Sequence, residues 1–224
     1  MRRSPPRRPR RVAGALIVAA AAGAAAACAD DGPVSTPGPQ VVTVAAQPCD
    51  RPLPAEGLGV VVADGVVVTA GHVVEGPRRR LTVDGADATV LGVDARTDLA
   101  VLRADVTGGA DVTTSPDGEL HVATADGAIP VAVVRTGLLI VHDTTDRARY
   151  ERQVHTIRPA VAAGTSGAPL VDASGDVAGI VVLTNRDDGT SYAVTGDEVR
   201  ALLTANGAAV DDERDRPAAP PCPD

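Results

Sequence analysis

The sequence has no lysine, phenylalanine or tryptophan, and only two tyrosines and one methionine among 224 residues. Without Phe or Trp the core must be built mainly from Val, Leu, Ile and Ala. Val-rich segments favour strands over helices. With lysine absent, all 21 basic residues are arginines, and six of them precede residue 12. Acidic residues begin only at Asp30. Beyond residue 27 there remain 15 arginines against 29 acids, a formal charge of −14. That balance speaks against nucleic acid as a partner, because phosphate contacts need basic patches. It favours solubility and mutual repulsion. Cysteine is scarce as well: Cys28, Cys49 and Cys222. No two cysteines are close and no histidine pair has ligand spacing, so no metal site is expected.

A long apolar run is also missing. Residues 1–11 hold six Arg and three Pro, and residues 12–27 form a 16-residue uncharged run dominated by Ala. A membrane span wants ~20 strongly apolar residues. A basic start followed by a short, modestly apolar run reads instead as an export signal over 1–27. Ala25-Ala26-Ala27-Cys28 resembles a bacterial lipobox, in which the cysteine is lipidated and becomes the new N-terminus. That would tether the protein to the outer face of the cell membrane. Ordinary cleavage after small residues, giving a secreted protein, is the alternative. Residues 28–40, rich in Pro, Gly, Ser, Thr and Asp, read as a flexible tether. With Cys28 lipidated, Cys49 and Cys222 are left to pair in an oxidising compartment. Two free thiols on frayed ends are the alternative.

What remains is long enough for one domain with a real core. Short apolar runs recur between Gly and Asp turns, at 58–63, 66–69, 80–83, 88–93, 99–103, 120–124, 129–135, 138–142, 153–157, 169–172, 177–183 and 191–194. Asp64-Gly65 between the first two is a hairpin signal. Strands at this spacing predict an all-β sandwich or barrel. Residues 196–206 have helical spacing, and the segment 207–224 is an acidic, Pro-rich tail. No PDZ-type domain is expected to follow the helix.

Three segments carry chemistry. Gly164-Thr165-Ser166-Gly167-Ala168-Pro169-Leu170 sets a serine between glycines. Gly164 can adopt backbone conformations closed to other residues. Its N–H and that of Ser166 could then hold a negative oxygen. Thr69-Ala70-Gly71-His72-Val73-Val74 supplies a base, since imidazole titrates near neutrality. Thr97-Asp98-Leu99-Ala100-Val101-Leu102 supplies a carboxylate to orient it, with Asp94 as the competitor. In the order His, Asp, Ser, these segments resemble the trypsin/chymotrypsin-like serine peptidases, and within them the bacterial HtrA/DegP-like branch. That family carries Thr-Ala-x-His, Asp-Leu-Ala-Val and Gly-Asn-Ser-Gly-Gly-Pro-Leu segments. The resemblance covers 41–206.

The resemblance implies two six-stranded Greek-key β-barrels with a short C-terminal helix and an active site between the barrels. A Gly/Thr/Asp-rich stretch at 104–118 suits the division, with His72 and Asp98 on the first barrel and Ser166 on the second. It implies a serine endopeptidase acting on protein or peptide without a cofactor. His72, Asp98 and Ser166 would be the triad, and the Gly164 and Ser166 N–H groups the oxyanion hole. Ala160 and Val161 would floor the substrate pocket. Val181, Val182 and Leu183 would wall it, with Ser191-Tyr192-Ala193-Val194 on the far side and Tyr192 at the pocket. No acid lies at the floor, so a small or apolar residue is expected before the cut. Thr165 and Ala168 depart from the family's Asn/Asp and Gly. The spacings, 26 residues from His72 to Asp98 and 68 from Asp98 to Ser166, imply trimmed loops. A catalytically weak binding or sensor module at the cell envelope is the alternative function. His121, His142 and His155 are expected to be structural.

Overall fold

Strands dominate the fold, as the Val-rich segments favour. The computed structural model describes residues 38–50, 52–142, 149–207 and 222. The expected export signal, Cys28, most of the tether and nearly all of the tail lie outside the described residues, as does the side chain of His142.

Among the described residues thirteen strands form two antiparallel sheets. The first contains β1 (Val41–Pro48), β2 (Ala55–Ala63), β3 (Val66–Ala70), β4 (Arg78–Val83), β5 (Ala86–Asp87), β6 (Thr89–Asp94) and β7 (Leu99–Arg103), in the order β5-β4-β1-β2-β3-β7-β6. The second contains β8 (Leu120–Thr124), β9 (Gly127–His142), β10 (Arg149–Arg158), β11 (Pro169–Val171), β12 (Val177–Asn185) and β13 (Thr190–Thr195). It closes as a barrel, β10-β13-β12-β11-β8-β9. The helix α1 (Gly196–Ala205) follows. The all-β class and the C-terminal helix match the expectation. The first sheet has a seventh strand, but β5 is only two residues long.

Two differences in strand assignment have physical causes. β1 has no counterpart among the expected strands. Its apolar residues run almost without a polar break, so it lacks the alternation of a half-buried strand. It is nevertheless paired on both edges, with β2 and with β4, and buries Val42, Val44 and Ala46. The runs at 129–135 and 138–142 are one strand, β9, which continues through Gly137 because β10 pairs along its length.

The core divides into two apolar clusters. One fills the first sheet with Val60, Val61, Val67, Val68, Leu99, Val101 and Leu102, then continues across to Val154, Ile180, Val182 and Val194 and to Val199 and Leu202 of α1. The second lies within the barrel and includes Val122, Ile157, Val161, Ala168, Leu170, Val181 and Ala193. The two sheets are therefore joined by buried apolar side chains, the main source of stability for such a contact. Residues 104–119 connect the sheets and are pinned to the second one. Thr113 N–H donates to the Val177 carbonyl (2.9 Å) and Val177 N–H to the Asp111 carbonyl (2.8 Å). Arg200 of α1 donates to the Val112 carbonyl (2.6 Å). A disulfide joins Cys49 to Cys222, so the end of β1 and the far end of the chain are stapled together.

Candidate active site

β3 is buried along its whole length and ends in a single 3-10 turn, Gly71–Val73, that delivers His72 to the sheet's end. Gly71 N–H donates to the Asp98 carbonyl (2.8 Å). A Cβ on Gly71 would lie 3.1 Å from Asp98 Oδ1 and 3.2 Å from its carbonyl carbon, so glycine permits this approach. Asp98 sits at φ +60, a left-handed conformation that Asp tolerates better than most residues. The turn before it is closed by Asp98 N–H donating to the Asp94 carbonyl (2.9 Å). The Asp94 carboxylate is occupied within that turn. It accepts the Arg96 N–H and the Thr97 hydroxyl, each at 2.9 Å.

The Asp98 carboxylate holds His72 at two points. Oδ1 accepts the His72 backbone N–H (2.8 Å), and Oδ2 lies 2.8 Å from ring Nδ1. A carboxylate only accepts, so this contact suits a proton on Nδ1, and in the neutral ring with that tautomer Nε2 is the acceptor. The ring is 41 % exposed and the carboxylate 20 %, so one face of the pair is open to a substrate.

Ser166 comes from the other sheet and is tied to the first. Its carbonyl accepts the Leu58 N–H of β2 (2.8 Å). A Cβ on Gly57 would lie 2.6 Å from the Ser166 carbonyl oxygen and 2.7 Å from Val73 Cγ2. Gly57 is thus sandwiched between the serine and the residue next to His72. Gly167, at φ +90, has no room for a Cβ against the Leu58 carbonyl. That carbonyl also accepts the Thr69 hydroxyl (2.6 Å). Behind the serine, Gly167 N–H donates to the Val181 carbonyl and Val181 N–H to the Ala168 carbonyl (2.7 and 2.9 Å). Ala168 is fully buried. The Thr165 hydroxyl closes the preceding loop onto the Ala162 carbonyl (2.7 Å). Gly164 is at φ +90. Among the described residues neither the Gly164 N–H nor the Ser166 N–H has a hydrogen-bond partner.

The 160–165 loop has a packed side and an open side. On one side Val161 N–H donates to Ser191 Oγ (3.0 Å), which also bonds Thr184 Oγ1 (2.9 Å). Val161, Val181 and Ala193 share the barrel cluster there. Val182 and Tyr192 turn to the other cluster, since neighbouring residues of a strand face opposite ways. Leu183 is exposed. Of the expected far-side strand 191–194, Ser191 is the residue bonded to Val161. Beyond Val181, β12 is paired only on its β13 side, which leaves Val182–Thr184 as a free edge. On the other side of the loop lies a cleft of ≈ 430 Å³ lined by Leu58, Thr124–Ile129 and Ala162–Thr165. No local sequence signal marks it, because Leu58 and the β8–β9 turn meet only through the docking of the two sheets.

Charged groups bind the Asp98 turn to the second sheet. Arg96 donates two hydrogen bonds to Glu198 of α1 (2.8 and 2.5 Å) and one to the Glu151 carbonyl of β10 (3.3 Å). The hydrogen bond from Arg96 holds the Glu198 carboxyl below the usual range against its partial burial, and Glu198 raises Arg96 in turn. Arg152, next on β10, is 6 % exposed and places Nη1 3.4 Å from Asp98 Oδ2.

His155 is away from the site. It is buried, and its Nδ1 meets Thr136 Oγ1 at 2.8 Å. Burial lowers its pKa below 6.5, opposed by a hydrogen bond to the Ala178 carbonyl and by Asp197. The folded state therefore binds fewer protons than the unfolded chain between the lowered value and ~6.5. Stability contributed by neutral His155 is complete above that window and is lost as pH falls through it. The midpoint of urea unfolding is expected to drop between pH 7.5 and pH 5, and to drop less in H155Q. Equal drops in both proteins would contradict this account.

No group of three His, Cys, Asp or Glu among the described residues could hold a metal ion. The model of the trypsin-like peptidase domain matches residues 57–180. The chain is 33% identical over 197 residues to the serine protease Rv3671c of Mycobacterium tuberculosis, covering 78% of this chain and 48% of that protein. It is 33% identical over 143 residues to a Brucella suis protein named "Probable periplasmic serine endoprotease DegP-like", covering 58% of this chain and 28% of that one. The crystal structure of the active form of the Rv3671c protease superposes with a TM-score of 0.70 at 28% identity, covering 82% of this chain and 86% of that chain. The chain spans about half the length, or less, of the curated relatives it matches.

Proposed function

Because the chain belongs to the trypsin-like peptidase family, we propose that it is an exported serine endopeptidase working through Ser166, His72 and Asp98. The observation that carries this reading is the double hold of Asp98 on His72 (2.8 Å at both points), beside a serine turn fastened to the same sheet. The likeness to an active protease structure supports it.

In this mechanism His72 Nε2 takes the Ser166 proton as Oγ attacks the substrate carbonyl carbon. Asp98 keeps the ring in the tautomer that can accept that proton. The unpartnered N–H groups of Gly164 and Ser166 hold the oxygen that gains negative charge. His72 then gives its proton to the leaving amine, and the acyl-enzyme is cut by water with the same base. The substrate backbone adds as a strand to the free edge at Val182–Thr184. The residue before the cut is received at Ala160, Val161, Val181 and Ser191, none of them charged, with Leu183 and Tyr192 at the margin. The residues after the cut lie over the Leu58 cleft.

The peptidase unit is 41–206. The family's periplasmic relative and the Arg-rich start support export, with Cys28 as the lipid anchor. Mass spectrometry of the mature N-terminus tests the anchor: a diacylglyceryl Cys28 is expected, and a bare start elsewhere would remove it. The activity is tested with a peptide library and folded, disulfide-bonded protein. Cuts after small or apolar residues are expected. No cuts at all would overturn the enzyme reading, and cuts confined to charged residues would overturn the pocket.

A further inference from the structure

Arg152 is out of place by its surroundings. Tyr150-Glu151-Arg152-Gln153 reads as a solvated stretch of strand, and Glu151 and Gln153 are exposed. Arg152 points the other way and is 6 % exposed. Its Nε is buried with no hydrogen-bond partner. Among the described residues its one charged partner is Asp98 Oδ2, at 3.4 Å. A guanidinium is always protonated, and removing it from water without a counter-charge costs several kcal/mol. Its retention here calls for a reason beyond stability.

The contact crosses the site. Asp98 belongs to the first sheet and Arg152 to β10 of the second, the sheet that also carries Ser166. From β10 the hydrogen-bonded path runs through β13 to β12, and from Val181 of β12 to Gly167 beside the serine. Oδ2, the oxygen that meets Arg152, is the one that receives His72 Nδ1. The pair from Arg96 to Glu198 and the Glu151 carbonyl pins the same stretch of β10 to the same turn.

We propose that Arg152 is a positioning residue: its buried guanidinium fixes the Asp98 carboxylate, and through it His72, in register with Ser166 across the two sheets. It rests on the triad reading given above. It touches neither substrate nor serine, and acts by setting the plane of the carboxylate that orients the base.

The test measures phosphonylation of Ser166 by a fluorophosphonate probe in the full chain, separating the limiting rate from the probe's half-saturation concentration. All variants are measured where circular dichroism shows them folded. R152M is expected to lower the limiting rate about 10- to 100-fold, the loss typical of a misplaced catalytic group, with half-saturation unchanged. R152K, which restores the charge without the planar fork, is expected to regain part of the rate. In a D98N background R152M is expected to cost nothing more, because its effect passes through Asp98. A wild-type rate in R152M would overturn the proposal. So would an R152K no better than R152M, or an equal loss with and without the Asp98 carboxylate. If R152M does not fold, R152Q replaces it with the same two outcomes. Failure of the wild-type protein to label would instead sink the triad reading itself.

Discussion

Replacing Ser166 with alanine is expected to lower kcat on any cleaved peptide by about 10⁶, the scale at which a triad serine fails. The cause is local. Without Oγ there is no nucleophile for His72 to activate, and what remains is binding and the N–H groups at Gly164 and residue 166. The fold should not change, because the link to β2 runs through the Ser166 carbonyl (2.8 Å to Leu58 N) and not through the hydroxyl. H72A is expected to fall as far, and the S166A/H72A double variant no further, since the two act as one unit. D98N should cost about 10⁴, because an amide reverses the ring's preferred tautomer. Peptide cleavage by matched, folded variants checks this. An S166A protein retaining a tenth of the activity would place the chemistry elsewhere.

Loss of the disulfide is expected to be the largest single change in stability. Cys49 and Cys222 close a loop of 173 residues in sequence separation. In the chain-entropy model such a loop stabilises by about 5 kcal/mol, and distortion of the native state reduces the figure. That is a large part of the ~5–15 kcal/mol available to an ordinary domain. The C49S/C222S protein should unfold at a much lower urea concentration, with no change in the His72–Asp98 geometry while folded. Equal midpoints for oxidised and double-serine protein would show that the staple contributes nothing.

The parts of the site legible in the sequence are those set by short-range geometry. Gly71 marks the approach of the His72 turn to Asp98, and Gly167 marks the approach of the serine turn to Leu58. Both leave a local signature, because only glycine fits. Strands were legible where a turn residue punctuates them, as at Asp64-Gly65. They were not where pairing alone decides, as in β1 and in the passage of β9 through Gly137. Contacts made by docking two sheets left no such mark. Arg152 looks like any exposed strand arginine until β10 is laid against the Asp98 turn. Arg96 and Glu198 are 102 residues apart. The contact between Val161 and Ser191 shows the same limit on a smaller scale. A pocket can be placed on a strand by its flanks, but whether Ser191 or Tyr192 faces inward depends on register, and one residue of slip exchanges them.

Whether Ser166 is an activated nucleophile is measured with a fluorophosphonate probe and tandem mass spectrometry on the oxidised, folded chain. One phosphonyl group per molecule is expected, on Ser166, lost in H72A and absent from S166A. A folded protein that takes up no probe, or carries it on another residue, would rule out Ser166 as the nucleophile and leave a binding or sensor module built on the peptidase fold.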